Sequence, residues 1–266
     1  MSYPIDQHFQ LTNHIFIQNL ELIEGAIQSS KFKQTAKALY RFTNKIDSIF
    51  RAIKEVTKSN NIYSCQILMR CLFEHSIISQ YIWIKNFEDQ NDECAQEYYV
   101  DYFVAEFLKR EGFDLKVERI EKNTNSANSN NFESIKNKYP FMKDAEQTDF
   151  ENINKTGNQF DISKIGNYLN NKSNIHLYKV VHKNMLDFLR EYNILSSYVH
   201  GGPSSEKEVF DNLTEQKTTE VLENLNKWGM TISRIAKENL LYFLAKESPE
   251  IKQTIKPIYD LIKDNV

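Results

Sequence analysis

The sequence predicts an all-α fold, a multi-helix bundle of long antiparallel helices around one buried central helix at about residues 62–87. Apolar residues recur at intervals of three and four along most of the chain, and no stretch alternates as a strand does. Only 7 Gly and 5 Pro occur among 266 residues, which leaves little of the turn chemistry that a sandwich or barrel needs. A hydrophobic content of 41% and an aromatic content of 12% exclude disorder as the overall state.

Two amphipathic helices are predicted first, at about residues 5–28 and 32–58. The second has one apolar face and, on the other, basic residues repeating every fourth position: Lys33, Lys37, Arg41 and Lys45. Such a stripe can bind a nucleic-acid phosphate backbone, so these four are candidate nucleic-acid-binding residues. The alternative interpretation is an ordinary solvated helix face.

The central helix is apolar on nearly every side, which is typical of a helix buried in a core. It carries Arg70 and Glu74, whose i, i+4 spacing puts them about 40° apart on one face and within pairing distance. A buried charge is costly unless it is paired, so this pair is either a structural specificity device or part of a working site. Three polar residues are expected on the same side: Tyr63, Gln66 and Tyr81.

The rest of the chain is predicted to complete a single helical domain, residues 1–266. An acidic helix is expected at about 90–111, followed by an Asn-rich irregular insert at about 113–160 with a possible short helix near 131–138. Long helices at about 173–199 and 214–246, and a short amphipathic helix after Ser248-Pro249, close the chain.

The end of the 173–199 helix carries a second polar motif, Tyr192-Asn-Ile-Leu-Ser-Ser-Tyr-Val-His200-Gly-Gly-Pro. Ser196 lies four residues before His200, so its hydroxyl can hold the imidazole against the helix. A His in the last turn is also well placed to bind terminal carbonyl groups. The motif is therefore either part of a site or a helix cap.

Arg70 and His75 match the Arg-x4-His signature and in this resemble HEPN-type ribonucleases. In that family two helical domains pair, and Arg and His from each side frame an RNA phosphodiester. The ribose 2′-hydroxyl attacks the adjacent phosphate, His moves the proton and Arg stabilises the charge on phosphorus. On a regular helix, however, Arg70 and His75 lie about 140° apart.

Taken together, the Arg-x-x-x-Glu helix and the Tyr-x-x-x-Ser-x-x-x-His-Gly ending resemble an uncharacterised bacterial family of all-helical proteins. Its members look distantly HEPN-like and are similar to proteins of prokaryotic defence and toxin systems. The resemblance covers about residues 30–110 and 165–240. It implies that five residues converge in space: Arg70, Glu74, Tyr192, Ser196 and His200.

Composition and motifs restrict the other classes of function. The formal net charge of −3 produces no global attraction to nucleic acid, and three cysteines without CxxC spacing favour reduced thiols in a cytoplasmic protein. No signal peptide is expected, and Arg70 and Glu74 interrupt the one stretch long enough for a membrane span. No nucleophile elbow or phosphate loop occurs, the His spacings do not suit a shared metal site, and no cofactor is expected.

The leading functional hypothesis is a metal-independent RNA-cleaving or RNA-binding effector of a bacterial defence or toxin system. Arg70 would stabilise phosphate charge, Glu74 would orient it, and His200 or His75 would act as general acid and base, with Ser196 holding His200. Tyr192 is the sixth residue predicted to belong to the catalytic site. A composite site would need a homodimer, and a defence-system partner protein is the other expected partner.

The alternative is a non-catalytic interaction module in which Arg70, Glu74 and His200 form a buried structural network. A third possibility is recognition of a small anionic ligand at the same cluster.

Overall fold

The computed structural model describes residues 5–121, 131–139, 142–171, 179–200, 203 and 214–263. Within these ranges every regular element is a helix, which confirms the predicted all-α fold. None of the described helices has the length and hydropathy of a membrane span.

The first half of the bundle has these elements: α1 (Ile5–Gln18), α2 (Leu20–Ser29), α3 (Lys33–Thr57), α4 (Ile62–Asp89), α5 (Glu93–Glu97), a π-helical turn (Tyr98–Tyr102) and α6 (Phe103–Glu121). The predicted N-terminal helix is thus broken in two at Asn19, whose side chain donates to the carbonyl of Ile15. The predicted acidic helix is likewise divided by the π-helical turn.

The second half continues with α7 (Asn131–Lys138), α8 (Gln147–Gly157), a 3₁₀ turn (Asn158–Phe160), α9 (Ile162–Asn171), α10 (Lys179–Val199), α11 (Glu215–Ala245), α12 (Pro249–Thr254) and α13 (Lys256–Lys263). Ser248 caps α12 by accepting from the backbone N–H of Ile251, as expected for a Ser-Pro helix start.

Helix α4 is the centre of the bundle, as predicted, and packs against α3, α9, α10 and α11. Apolar side chains from several of its sides are fully buried: Cys65, Met69, Leu72, Ile77 and Ile82. Helices α3 and α11 cover other faces of α4. The side of α4 that carries Arg70 is enclosed by α9 and α10.

The described part of the predicted irregular insert is mostly helical, which differs from the prediction for about 113–160. Helices α7 and α8 fall within it, and they form a small apolar cluster with α6 around Leu108, Ile135 and Met142. Helix α7 coincides with the short helix expected near 131–138, whereas α8 was not expected, because its few apolar residues lie in a polar, Asn-containing stretch. The Asn-rich run at 122–130 lies outside the described residues.

A buried ionic network fastens α1 to α11. The Glu238 carboxylate accepts a hydrogen bond from Thr12 at 2.8 Å and pairs with His8 at 2.8 Å and with Arg234 at 2.7 Å. Next to it, the buried ammonium of Lys237 pairs with Asp47 of α3. Burial of these charges is tolerated because each has a close partner of opposite sign.

Candidate functional site

Arg70 joins α4 to α10 through two partners. Its Nη1 lies 2.9 Å from Oε2 of Glu74, and its Nη2 donates a 2.7 Å hydrogen bond to the hydroxyl of Tyr192. The guanidinium carbon also lies 4.9 Å from the centroid of the Tyr192 ring. The structure therefore brings together three of the six predicted catalytic residues, and it orients Arg70 by a carboxylate and a phenol.

These three residues form one wall of a cavity of about 690 Å³. Two further aromatic rings line it, Tyr102 and Phe160, whose centroids are 5.7 Å apart. Polar groups come from Asp161, Ser163, Asn167 and Asn193. The volume is in the range of small-molecule sites, and the mixture of flat rings and hydrogen-bonding groups suits a ligand of nucleotide size.

Tyr102, which lines the cavity, is the last residue of a π-helical turn over Tyr98–Tyr102. The ring of Tyr98 is stacked on Tyr102 with centroids 5.3 Å apart. Gly157 allows α8 to approach closely, since a Cβ there would lie 2.7 Å from Cβ of Ala105 and 3.7 Å from the Tyr102 ring. Single π-helical turns inside helices are frequent at functional sites.

Asp161 places a carboxylate at the cavity where α9 begins. It accepts hydrogen bonds from the hydroxyl of Ser163 and, at 2.8 Å, from the Ser163 backbone N–H. The Ser163 hydrogen bonds hold the pKa of Asp161 below its ordinary value. Among the described lining of the cavity, Arg70 is the basic residue, and Glu74 and Asp161 are the acidic ones.

Tyr192 keeps its proton at neutral pH. Burial raises the pKa of its hydroxyl above the ordinary value, and the Glu74 carboxylate adds to that effect, while Arg70 opposes it. Because the oxygen accepts from Arg70, the hydroxyl proton is left for donation to a ligand oxygen. The cavity therefore offers one cation and one neutral donor side by side.

His75 lies on a different side of α4 from Arg70. Its ring packs 5.9 Å from the Phe42 ring of α3, and its buried Nδ1 has no hydrogen-bond partner among the described residues. Burial lowers the pKa of His75 to about 4, and the Lys45 ammonium adds to this. The Arg-x4-His spacing therefore does not place both side chains at the cavity. Five residues along a helix leave two side chains about 140° apart around the helix axis.

His200 lies at the exposed end of α10 and does not line the cavity. Its backbone N–H donates to the Ser196 carbonyl at 3.3 Å, and Ser196 is also outside the described lining. Eight residues separate Tyr192 from His200, a rise of about 12 Å along α10. The expected convergence within one chain thus holds for Arg70, Glu74 and Tyr192 but not for Ser196 and His200.

The predicted neighbours of Arg70 on α4 also diverge. The hydroxyl of Tyr63 donates to the Tyr198 carbonyl at 2.7 Å, which fixes the end of α10 to the start of α4. Gln66 lines a different cavity, and Tyr81 packs edge-on against Phe160 and Tyr168. The sequence motifs did not assign Tyr102, Phe160 or Asp161 to the site. Asp161 begins the sequence Asp-Ile-Ser-Lys, and an Asp in such a position is a typical helix-start signal that could have drawn attention to it.

The four basic stripe residues lie along α3. Lys33 and Lys37 are half-buried, whereas Arg41 and Lys45 are exposed. The guanidinium of Arg41 stacks on the Tyr99 ring at 4.8 Å, and Tyr99 belongs to the same π-helical turn as the cavity residue Tyr102. Arg41 therefore contacts the turn that also carries Tyr102, and none of the four stripe residues belongs to the described lining of the cavity.

In the part of the chain that the structure describes, no group of three His, Cys, Asp or Glu side chains is arranged to hold a metal ion.

Comparison with known proteins gives one match. Residues 36–218 match the profile of a family of unknown function, and this region contains Arg70, Glu74, Tyr192, His200 and the whole described cavity lining. No curated protein and no solved structure matches the chain. Because the matched region covers more than half of the sequence, the chain belongs to this family of unknown function, DUF5677.

Proposed function

We propose that the protein binds single-stranded RNA, with one nucleotide seated in the cavity beside Arg70. The observation that supports this most is the orientation of the Arg70 guanidinium by Glu74 and Tyr192 at the wall of a cavity of about 690 Å³. An oriented guanidinium suits a phosphate oxygen, because charge-assisted hydrogen bonds are short and strong. The likeness to HEPN-type ribonucleases is part of this proposal.

The aromatic lining supplies the second contact. A base entering the cavity would stack on Tyr102 or Phe160, and such stacking is tolerant of sequence. The strand would continue towards α3, where Arg41 and Lys45 offer exposed positive charge to the phosphates. In this proposal one nucleotide binds in the cavity, and the phosphates of the neighbouring RNA backbone contact the basic stripe.

Cleavage would follow from the same geometry if a second copy supplied an imidazole. In the proposed reaction a 2′-hydroxyl loses its proton to His200 of a second copy and attacks the neighbouring phosphorus. The bond between phosphorus and the 5′-oxygen then breaks, and the leaving 5′-oxygen takes a proton from water, which gives a 2′,3′-cyclic phosphate and a 5′-hydroxyl; the imidazole afterwards returns its proton to the solvent. Arg70 and the Tyr192 hydroxyl would stabilise charge on the phosphate oxygens. Such an activity would suit an effector of a defence or toxin system.

The test is binding and cleavage of a labelled single-stranded RNA by purified protein in EDTA. Fluorescence anisotropy measures affinity, and a denaturing gel detects product. The proposal predicts that Arg70→Met loses binding and that His200→Ala retains binding but loses any cleavage. RNA affinity that is equal in wild type and Arg70→Met contradicts the binding proposal, and cleavage that persists in His200→Ala removes His200 from the mechanism.

A matched control is built into the chain. Arg234 pairs with Glu238 at the same i, i+4 spacing as Arg70 with Glu74, and the two arginine side chains are similarly buried, at 18% and 20% exposure. Arg234 does not line the cavity. Arg234→Met should therefore leave RNA affinity unchanged.

One observation favours the alternative, a non-catalytic interaction module. Both terminal nitrogens of Arg70 already have partners, so the group is also complete as a structural link between α4 and α10. Under this function Arg70→Met lowers stability and has no effect on RNA. The comparison of Arg70→Met with Arg234→Met separates the two functions.

A further inference from the structure

Another cavity, of about 330 Å³, lies between α6, α7 and α8 and shares no lining residue with the Arg70 cavity. Its apolar lining comes from all three helices: Leu108, Gly112 and Phe113 of α6, Ile135 of α7 and Phe150 of α8. Leu108 and Ile135 are buried, whereas Phe113 is 64% exposed. The cavity thus joins buried apolar side chains to an exposed aromatic ring, and the function proposed above makes no use of it.

The rest of the described lining is polar, and every polar side chain in it can donate a hydrogen bond. These groups are the ammonium groups of Lys109 and Lys116 and the side-chain amide of Asn154. No carboxylate belongs to the described lining, and the buried carboxylate of the same stretch of α6, Glu111, is paired with Lys138 at 2.9 Å. The cavity therefore carries two positive charges that no lining acid offsets.

Lys109 and Lys116 lie on the same face of α6. Seven residues fall short of two full helical turns by only about 20°, so the two side chains leave α6 in nearly the same direction, about 10 Å apart along its axis. Both residues are exposed, and neither ammonium has an ion-pair or hydrogen-bond partner among the described residues. Because a Lys side chain has a long flexible stem, both charges can reach one anion between them.

We infer that this cavity binds a small amphipathic carboxylate with its anionic head between Lys109 and Lys116. Its apolar body lies against Phe113, Ile135 and Phe150. The lining offers hydrogen-bond donors and positive charge but no acid, which favours an anionic head and disfavours a cationic one. The other lining side chains are apolar, so burial of a hydrocarbon body supplies most of the binding free energy. The site needs no RNA, so the inference does not depend on the function proposed above.

The experiment compares octanoate, the neutral octanamide and octylammonium by isothermal titration against the full-length wild-type protein. The three probes have the same chain length and differ in the charge of the head group. Octanoate should bind about fivefold more tightly than octanamide at low ionic strength, and added salt should reduce this ratio, because exposed ion pairs contribute modestly and are screened. Octylammonium should bind most weakly. Equal affinities of the three probes, or no saturable binding of octanoate at millimolar concentration, overturn the inference.

Hexanoate tests whether the apolar body is buried. It lacks two methylene groups, each of which changes affinity by roughly fourfold when it is buried, so it should bind roughly 15-fold more weakly than octanoate. Equal affinities of hexanoate and octanoate would mean that an anion merely pairs with surface lysines, which overturns the inference. Binding to anionic lipid vesicles without binding of free octanoate also overturns it.

A double variant tests the position of the head group. Lys109→Met with Lys116→Met removes both charges and keeps unbranched side chains, so it should abolish the preference for octanoate over octanamide. The matched control is Lys227→Met with Lys252→Met, which removes two exposed lysines of α11 and α12 that do not line this cavity. A preference that survives the first double substitution, or that is lost in the control, contradicts the assigned contacts.

Gly112→Leu tests the position of the apolar body. Gly112 lines the cavity from α6, and Leu there adds a side chain to the lining while favouring the helix. Because this side chain occupies the space of the ligand, the affinities for octanoate and octanamide should both fall by at least about tenfold. Unchanged affinity of Gly112→Leu for both probes contradicts binding in this cavity.

Discussion

Replacement of Arg70 by Met should separate ligand binding from stability. Glu74 is 31% exposed, so the carboxylate left behind can be hydrated, and the free energy of unfolding should fall by only about 1 kcal/mol. RNA affinity should fall by about 10- to 100-fold, the value of one lost hydrogen bond between a cation and a phosphate.

Arg234→Met should show the opposite pattern. It leaves Glu238 with a side chain that is 8% exposed, so the unpaired charge remains in the core. His8 and Thr12 still contact that carboxylate, which limits the loss to about 2–4 kcal/mol. For a chain of this length that is a fall in melting temperature of roughly 4–12 °C.

The assays are thermal unfolding and RNA anisotropy on the two variants in parallel. The reasoning is refuted if Arg70→Met loses as much stability as Arg234→Met while its RNA affinity matches wild type. In that case the Arg70 group is a structural link, and the alternative function is correct.

Three further predictions follow from single contacts. The pKa of His75 is lowered to about 4, so between pH 6.5 and 4 the unfolded chain binds a proton that the folded chain does not. The melting temperature should therefore fall as the pH falls from 6.5 to 4. His75→Leu should lessen this fall. In urea unfolding, Gly157→Ala should destabilise the protein by about 1–3 kcal/mol, because the added Cβ has no space. Gly25→Ala should instead stabilise it by about 0.5–1 kcal/mol, because a Cβ there meets nothing within 4 Å. Equal effects of the two substitutions would contradict the packing described. Asp92 accepts from two backbone N–H groups at the start of α3 and from the Thr35 hydroxyl, so Asp92→Ala should cost about 1–2 kcal/mol, and an unchanged urea midpoint would refute this capping role.

Much of the fold could be predicted because helical periodicity reflects burial directly. The all-round apolar character of α4 placed it at the centre, and the i, i+4 spacing predicted the contact between Arg70 and Glu74. Helix α7 coincides with the short helix expected near 131–138, whereas α8 was missed because it has only a few apolar residues within a polar composition.

The cavity itself was harder to predict because it depends on how helices pack. Tyr102, one of its lining residues, belongs to a π-helical turn, and such a turn leaves no periodic signal in the sequence. Tyr192 lies on α10 and His200 directly follows its end, yet of the two only Tyr192 contacts Arg70. The spacing of residues along α10 does not show at which point α10 packs against α4. The Arg-x4-His motif misled for a related reason, because its two side chains face different neighbours of α4.

The network of His8, Arg234 and Glu238 was also not visible in the sequence. His8 lies far from Arg234 and Glu238 in the chain, and each residue is unremarkable in its own polar or amphipathic helix. Only the packing of α1 on α11 brings His8 into one buried cluster with Arg234 and Glu238.

The most direct test of the central claim is ultraviolet cross-linking of a uridine-rich single-stranded RNA to the full-length protein, with the modified peptides identified by mass spectrometry. The account predicts cross-links at Tyr102, Phe160 or Tyr192, and their loss in Arg70→Met but not in Arg234→Met. Cross-links confined to Lys33–Lys45, or a pattern unchanged by Arg70→Met, would contradict it.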